Sequence, residues 1–317
     1  MDQRPLHSRG LFYYMNKPLM VFSFGPWSAS HPIYKTYTQT NKIVYGSIFK
    51  EPHVLPYIFT KNHYEWETIR LSEYESCKNQ NREGYEMLSP NISVDGYIEL
   101  LLERYDNHKD EYRGVSDATN GHTVFGEDII DKFADKFKKY FDVKVLMIFR
   151  DPVRRLFSHL MGQPKPNPSL EGYGQNKRFE LALNYMSTPT KVRYPEQKLD
   201  HTKDLYMPYM CSNYQGIYDN WSKFFDTHVI IMEDLWAGRN NELDRLNNFL
   251  ESNITELHKN LYYPFKGLDY DHHPKLEDQM RSEKEWITKE NLQRGREIMS
   301  WCYTINGNKP WEIDEWS

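Results

Sequence analysis

One segment, VKVLMIFRDPVRRLFSHLM at residues 143–161, constrains the fold more than any other part of the chain. Its first seven residues are almost all apolar, as in a strand that is buried on both faces. Asp151 is a favourable N-cap and Pro152 suits the first helical position, so a helix should begin directly after the strand. Apolar residues then recur at helical spacing. The segment therefore predicts a buried strand that turns at once into a helix.

The rest of the sequence repeats this alternation of strand and helix. Helical patterns, for example at 126–140 and 215–225, separate short apolar runs. We predict an α/β fold with a central, mainly parallel sheet of about five strands covered by helices on both faces. The predicted strands are residues 19–24, 43–48, 114–116, 143–149 and 229–232. We interpret residues 1–317 as a single domain with a long loop insertion at about 162–204 and a further helix around 288–303.

Composition limits the classes of binding partner and the cellular compartment that we expect for this chain. The formal net charge of -5 argues against a broad nucleic-acid or membrane-surface binder, although a local basic pocket is compatible with it. Three scattered cysteines, Cys77, Cys211 and Cys302, are too few for a disulfide framework or a zinc knuckle. The N-terminal residues lack a secretion signal, and no apolar run is long enough for a membrane helix. We therefore expect a cytoplasmic protein.

Positive charge is concentrated at the strand–helix segment, where four basic residues accompany Asp151: Lys144, Arg150, Arg154 and Arg155. In open parallel sheets, ligands bind at the carboxyl ends of strands, where helix N-termini favour anions. An arginine with a nearby hydroxyl forms a good clamp for phosphate or sulfate. An ordinary capped surface helix would have the same spacing, so the pattern alone leaves both interpretations open.

The residues of this segment resemble a known family. Arg150-Asp-Pro-Val-Arg-Arg-Leu-Phe-Ser158 is similar to the 3′-phosphate-binding strand and helix of the sulfotransferases, which use 3′-phosphoadenosine 5′-phosphosulfate (PAPS) as sulfuryl donor. Arg150 and Ser158 match the family's two phosphate ligands. The resemblance implies a P-loop-NTPase-like sulfotransferase architecture, with PAPS as co-substrate, the desulfated nucleotide as product and no metal.

Two further motifs extend the resemblance to the acceptor side. Lys50-Glu-Pro-His53 resembles the K-E-P-H motif of the carbohydrate, heparan-sulfate-type branch. It implies a sugar acceptor, Lys50 as a substrate ligand and Glu51 as general base, with His53 as the alternative base or an orienting partner. Asp117-Ala-Thr-Asn120 resembles the family segment beside the acceptor cleft, which implies that Thr119 binds substrate.

Near the C-terminus, three more segments resemble the family. Tyr214 and Trp221 match a helix that packs under the last strand, and His228-Val-Ile-Ile-Met-Glu-Asp-Leu235 matches that strand and the following turn. Lys266-Gly267 resembles a loop that closes over the nucleotide. With Lys266, the arginines at 150, 154 and 155 are expected to surround the donor with positive charge.

The loop after the first strand departs from the family pattern. The family has a loop like G-x-P-K-x-G-T-T that holds the 5′-phosphosulfate, whereas this chain reads Pro26-Trp-Ser-Ala-Ser-His31. The family's lysine falls near Ser28 or Ala29, and neither side chain carries a positive charge. Ser28, Ser30 and His31 could still donate hydrogen bonds to this group. Lys35, about one turn further along, could reach back to it.

Three functional hypotheses follow. The leading one is a sulfotransferase acting on a hydroxyl or amine, on a glycan or another small molecule. The missing lysine motivates the second, a catalytically impaired nucleotide- or glycan-binding protein on the same scaffold. The third, a P-loop kinase, is disfavoured because no G-x-x-x-x-G-K-S/T motif occurs. The sequence leaves the acceptor and the oligomeric state open.

Overall fold

A computed structural model describes residues 17–25, 30–46, 52–59, 74–80, 85–162, 180, 183, 186, 211–257, 289–305 and 307–308. Four strands form one parallel sheet in the order β2-β1-β3-β4. They are β1 (Leu19–Phe24), β2 (Gly114–Asp117), β3 (Asp142–Phe149) and β4 (Asp226–Ile231). The predicted fold class, a parallel sheet flanked by helices, is confirmed.

Nine helices with described bounds accompany the sheet, and residues 74–79 form a further helical segment. The nine are α1 (Ser30–Lys35), α2 (Val54–Phe59), α3 (Val94–His108), α4 (Glu127–Tyr140), α5 (Pro152–Gly162), α6 (Tyr214–Ser222), α7 (Met232–Ala237), α8 (Glu242–Leu250) and α9 (Lys289–Ile298). A π-helical turn (Thr36–Thr40) continues α1, and 3-10 turns lie at Tyr85–Leu88, Asn120–Val124 and Ser300–Tyr303. None of the helices described is both long and apolar enough to cross a membrane.

The run at 43–48 differs from its predicted form as a fifth strand. Tyr45 forms an isolated parallel bridge with Val115 at the edge of the sheet. The Tyr45 N–H donates to the Gly114 carbonyl at 2.8 Å, and the Ser116 N–H donates to the Tyr45 carbonyl at 3.0 Å. Residues 43–46 therefore run beside β2 without extending the ladder, and residues 47–51 lie outside the described part of the chain.

Both faces of the sheet are covered, as the continuous apolar strands predicted. Met20, Phe22 and Phe24 of β1 belong to one hydrophobic cluster, while Leu19 and Val21 belong to the other. The first cluster is rich in aromatic rings from β1, α4 and α6, and the second includes α1 and α8. Alternate side chains of one strand thus reach two helical layers, because successive residues point to opposite faces.

The strand order gives β1 a special position in the sheet. The chain leaves β1 for β2 on one side and later returns to β3 on the other, so β1 is a topological switch point where ligands of such sheets bind. Gly25 follows β1 and lies against β3. A Cβ atom at Gly25 would lie 1.9 Å from the Ile148 carbonyl oxygen, so only glycine fits there. The backbone at Gly25 therefore lies directly against the end of β3.

The predicted single domain with an insertion stays a prediction, because most of 162–204 lies outside the described residues. Within that span, Glu180 accepts a hydrogen bond from Arg294 at 2.7 Å. The Met186 carbonyl accepts one from the Trp301 indole at 2.8 Å. The described residues of the insertion thus contact the C-terminal helix and turn.

Candidate active site

Asp151 caps the helix that follows β3, as the sequence predicted. Its Oδ1 accepts hydrogen bonds from the backbone N–H groups of Val153, at 3.0 Å, and Arg154, at 3.1 Å. These are two of the N–H groups that a helix N-terminus leaves without a partner in the helix. The carboxylate therefore sets the direction in which α5 leaves the sheet.

Arg150 and Ser158 lie in contact beside this turn. The Arg150 Nη1 donates to the Ser158 Oγ at 2.8 Å, and the two residues are only 9% and 5% exposed. Arg150 directly follows β3 and Ser158 lies on the second turn of α5, so the Arg150 side chain reaches along the helix. A buried arginine next to a hydroxyl is suited to bind phosphate or sulfate oxygens. Their role as nucleotide ligands stays a prediction.

Two residues hold the backbone around Arg150. The Tyr214 hydroxyl, at the start of α6, donates to the Arg150 carbonyl at 2.8 Å. The Asp151 N–H donates to the Glu233 Oε1 at 2.9 Å. Burial of Glu233, and next the proximity of Asp151, raise the pKa of the Glu233 carboxyl. The turn is therefore bound on one side by the start of α6 and on the other by the start of α7.

The C-terminal segment reaches the same turn through two residues that sequence reasoning missed. Arg296 of α9 donates to the Asp151 Oδ2 from Nη2 at 3.2 Å and from Nε at 3.3 Å. The Tyr303 hydroxyl lies 3.0 Å from Oδ1 of the same carboxylate and donates to it. Burial, and next Asp151, raise the pKa of Tyr303 well above its usual value. No motif marks either residue; only the helix predicted at 288–303 indicated that this segment packs on the domain.

Arg150, which precedes α5, and Arg154 and Arg155 within it do not share one environment, contrary to the expectation that all three surround the donor. Arg155 is fully buried and donates to the Ser212 Oγ in the interior. Its charge therefore faces the segment before α6. Arg154 is half-buried on the outer side of the helix. Arg150, in contrast, donates to the Ser158 hydroxyl.

A second polar cluster lies at the end of β2. Asp117 and Thr119 are fully buried, and the Thr119 hydroxyl donates to the Asp117 Oδ1 at 2.6 Å. The Tyr97 hydroxyl donates to the Asp117 Oδ2 at 2.8 Å, and the His122 Nε2 lies 3.6 Å from the same oxygen. The His53 N–H donates to the Thr119 Oγ1 at 3.2 Å. Thr119 thus has its hydroxyl engaged within the protein, whereas its contact with substrate stays a prediction.

The remaining predicted ligands are described only in part. Lys35 is half-buried at the end of α1, and Ser30 and His31 begin this helix, with side chains outside the description. The other predicted residues lie outside the described part of the chain: Ser28, Ala29, Lys50, Glu51, Lys266 and Gly267. Among the described residues, no three His, Cys, Asp or Glu side chains are grouped so as to hold a metal ion.

The two clusters flank the end of β1. β2, which ends at Asp117, and β3, which leads to Arg150, are its two neighbours, so their ends are roughly 10 Å apart. Between them, the Gly25 N–H donates to the Asn120 Oδ1 at 3.2 Å. The arrangement offers a buried cation with a hydroxyl on one side and a buried carboxylate network on the other.

Three solved structures overlap with most of this chain. A sulfotransferase from Alicyclobacillus acidocaldarius has 16% identity and a TM-score of 0.46, over 89% of this chain and 97% of that chain. The sulfotransferase domain of the Synechococcus PCC 7002 olefin synthase has 14% identity and a TM-score of 0.44, over 89% and 94%. The sulfotransferase domain from the curacin biosynthetic pathway has 14% identity and a TM-score of 0.44, over 91% and 99%.

The other comparisons give no relative. No protein-family model matches this sequence, and neither does any curated protein sequence. Structural scores and identities as low as those above carry no weight for family or activity. A functional proposal therefore depends on the residues of this chain.

Proposed function

We propose that this chain is a sulfotransferase that moves a sulfuryl group from PAPS to a hydroxyl or amine acceptor, on a carbohydrate. Arg150 and Ser158 bind the 3′-phosphate of the donor. Glu51 takes the proton of the acceptor as general base, and His53 is the second candidate for that role. Sulfuryl transfer needs in-line positioning and stabilisation of the leaving group, which bound cations and hydrogen-bond donors supply.

The contact between Arg150 and Ser158 carries the proposal. The R-D-P turn with a serine eight residues after the arginine is the motif that resembles the sulfotransferases, and the two side chains meet at 2.8 Å. They meet at the carboxyl edge of a parallel sheet, beside the switch strand where ligands of such sheets bind. The choice of a sugar as acceptor is supported by the K-E-P-H sequence alone.

Calorimetric titration with adenosine 3′,5′-bisphosphate tests donor binding. Arg150→Ala should weaken binding about 100-fold, because it removes charge-assisted hydrogen bonds to the phosphate. Arg150→Lys should weaken it less, since the charge remains while the planar fork is lost. Arg113→Ala is the matched control, because Arg113 directly precedes β2 and lies at the amino ends of the strands, whereas Arg150 lies at their carboxyl ends. Absence of bisphosphate binding to the unaltered protein would refute the proposal.

Transfer of labelled sulfate from PAPS to glycan acceptors tests the general base. Glu51→Gln should retain bisphosphate affinity and lose about 10²–10⁴ in turnover, the usual contribution of a general base. Turnover equal to that of the unaltered protein would contradict the role of Glu51. His53→Ala would then be examined in the same assay.

The absence of lysine between Phe24 and Ser30 favours a second candidate. In that alternative, the chain binds the nucleotide or a glycan without turnover. Loss of a cation next to the leaving group commonly costs on the order of 10²–10³ in rate. Labelled sulfate on any acceptor of a glycan and phenol panel would eliminate this alternative. Binding of the bisphosphate without any transfer would favour it.

A further inference from the structure

The second oxygen of the Asp151 carboxylate is not needed to cap α5. Oδ1 accepts the two backbone N–H groups at the start of the helix, which is the usual arrangement of an N-cap. Oδ2 lies 3.2 Å from the Arg296 Nη2, which donates to it, and 3.1 Å from the Tyr303 hydroxyl. Asp151 is only 2% exposed. A buried charge is stable only when it is paired, so Arg296 and Tyr303 help to keep the carboxylate in its place.

Two segments from distant parts of the chain pack together at this point. α9 and the 3-10 turn after it place Leu292 and Met299 in the hydrophobic cluster that also contains Val153 at the start of α5. Arg296 lies in the last turn of α9, and Tyr303 is the last residue of the 3-10 turn. Both donors therefore reach Asp151 from a backbone that packing in the core holds in place.

Asp151 is joined directly to both of the predicted phosphate ligands. It follows Arg150 in the chain, so a shift of Asp151 also moves the backbone from which the Arg150 side chain extends. It also caps the helix that carries Ser158. The Arg150 Nη1 donates to the Ser158 Oγ at 2.8 Å. The placement of the guanidinium relative to this hydroxyl therefore depends on where Asp151 is held.

We propose that Arg296 and Tyr303 are positioning residues for the donor: they hold Asp151, and through it they keep Arg150 and Ser158 aligned on the 3′-phosphate. This inference rests on the proposed function, in which Arg150 and Ser158 are the phosphate ligands. Charge-assisted hydrogen bonds to phosphate depend on geometry, and side chains that are already in place lose less entropy when the ligand binds. The C-terminal segment thus contributes to donor affinity through Asp151.

Arg296→Met and Tyr303→Phe are the test variants. Methionine has a long side chain without a donor, so the first variant removes the hydrogen bonds from Arg296 to Asp151. Phenylalanine keeps the ring in the core and removes only the hydroxyl, so Tyr303→Phe remains a test if Arg296→Met does not fold. Arg296→Lys keeps the positive charge and is the conservative rescue.

The chain offers a matched control for each variant. Arg294 lies on the same helix as Arg296 but donates to the Glu180 Oε1 at 2.7 Å, so Arg294→Met is the control for Arg296→Met. Tyr57 is 7% exposed, as is Tyr303, and its hydroxyl donates to the Pro90 carbonyl at 3.1 Å. Tyr57→Phe is therefore the control for Tyr303→Phe.

Each protein is titrated by calorimetry with adenosine 3′,5′-bisphosphate and with adenosine 5′-phosphate, which lacks the 3′-phosphate. We expect Arg296→Met to weaken bisphosphate binding about 10-fold and Tyr303→Phe about threefold, because each removes hydrogen bonds to the carboxylate that aligns the phosphate ligands. Affinity for adenosine 5′-phosphate should stay within about twofold of the unaltered protein. Arg296→Lys should recover most of the lost bisphosphate affinity, and both controls should bind both nucleotides as the unaltered protein does.

The two nucleotides separate a positioning role from a general effect on the fold. Unchanged bisphosphate affinity in either test variant would overturn the role of that residue. An equal loss of affinity for both nucleotides would overturn the inference, since a general disturbance has no preference for the 3′-phosphate. If the unaltered protein bound both nucleotides equally well, the assignment of Arg150 and Ser158 to the 3′-phosphate would fail, and the inference with it. No bisphosphate binding at all by the unaltered protein would refute the proposed function itself.

Discussion

At the scale of single residues, one carboxylate connects the parts of the candidate donor site. Asp151 caps α5 and accepts hydrogen bonds from Arg296 and Tyr303, while its N–H donates to Glu233. Arg150 precedes it and is held through its carbonyl by Tyr214. Because the Arg150 carbonyl and the Asp151 N–H are both hydrogen-bonded, the Arg150 guanidinium projects from a backbone with little conformational freedom. Such preorganisation reduces the entropy that a ligand must remove on binding.

Glu233 should make the stability of the folded protein depend on pH, and its burial determines the direction of that dependence. The folded protein raises the pKa of the Glu233 carboxyl above its ordinary value, so the folded state holds the proton more tightly than the unfolded state. The contribution of Glu233 to stability is therefore greatest below the unfolded pKa, and it is lost as pH rises through the folded pKa. Glu233→Gln keeps an oxygen to accept the Asp151 N–H and removes the titration. We expect the variant to gain stability relative to the unaltered protein as pH rises from acid toward neutral.

Urea unfolding at a series of pH values measures this difference. Glu103→Gln, at an exposed position of α3, is the matched control and should follow the curve of the unaltered protein. If the unaltered protein and Glu233→Gln differ by the same free energy at every pH, the Glu233 carboxyl does not titrate in the way that its burial indicates.

At the scale of elements, α9 packs closely on α5 where a glycine permits it. A Cβ atom on Gly295 would lie 2.9 Å from both methyl groups of Val153, which is fully buried. Valine is stiff at χ1 and has no room to move in a close-packed core. The approach of the two helices also brings Arg296 within reach of Asp151. The close approach at Gly295 thus allows the C-terminal segment to contact the candidate donor site.

The effect of Gly295→Ala on the free energy of unfolding should therefore change sign when the neighbouring Val153 side chain is removed. In the unaltered protein, overpacking costs about 1–3 kcal/mol and exceeds or offsets the gain of about 1 kcal/mol in helix propensity. In a Val153→Ala background the space is open, so Gly295→Ala should stabilise by about 1 kcal/mol. Urea unfolding of the four proteins gives the coupling free energy.

A glycine in another helix provides the control for Gly295. At Gly96 of α3 the nearest atom to an added Cβ is the Ser93 Oγ at 3.4 Å, so Gly96→Ala should stabilise the unaltered protein directly. Equal effects of Gly295→Ala in the presence and absence of the Val153 side chain would contradict the close approach of α5 and α9.

Regular elements were largely predictable because hydrophobic periodicity marks them. The strands at 19–24 and 143–149 and the helices at 126–140 and 288–303 have counterparts in β1, β3, α4 and α9. The run at 43–48 is as apolar as these strands, yet only Tyr45 forms a bridge. Periodicity reports burial, whereas a strand also requires a partner in register over several residues. That requirement depends on the tertiary structure.

At the scale of the whole molecule, the formal net charge of -5 repels an anionic ligand, whereas the positive charge of the candidate donor site attracts it. If the charge of the whole chain dominated, added salt would screen repulsion and strengthen bisphosphate binding. If the local cation at Arg150 dominates, salt screens attraction and weakens binding. The Debye length falls from about 10 Å at 0.1 M salt to about 3 Å at 1 M, so the two cases separate clearly.

We expect adenosine 3′,5′-bisphosphate to bind at least about threefold more weakly at 1 M than at 0.1 M sodium chloride, because charges near a ligand act more strongly than distant ones. Calorimetry at the two concentrations measures the effect. Uncharged adenosine, titrated in parallel, should show no comparable weakening. Tighter bisphosphate binding at high salt would indicate that the negative charge of the whole chain outweighs the site.

The sequence by itself determined the α/β class and the capped turn at Asp151, because both depend on local rules, the alternation of strand and helix and the chemistry of the N-cap. The pairing of Arg150 with Ser158 was expected from the family resemblance. Only the tertiary structure decided that Arg155 faces the interior and that Arg296 and Tyr303 meet Asp151. It likewise decided that Thr119 connects Asp117 to the backbone of His53. These contacts join residues from separate elements, so they arise only when the sheet and its helices are packed together, and no spacing along the chain encodes them.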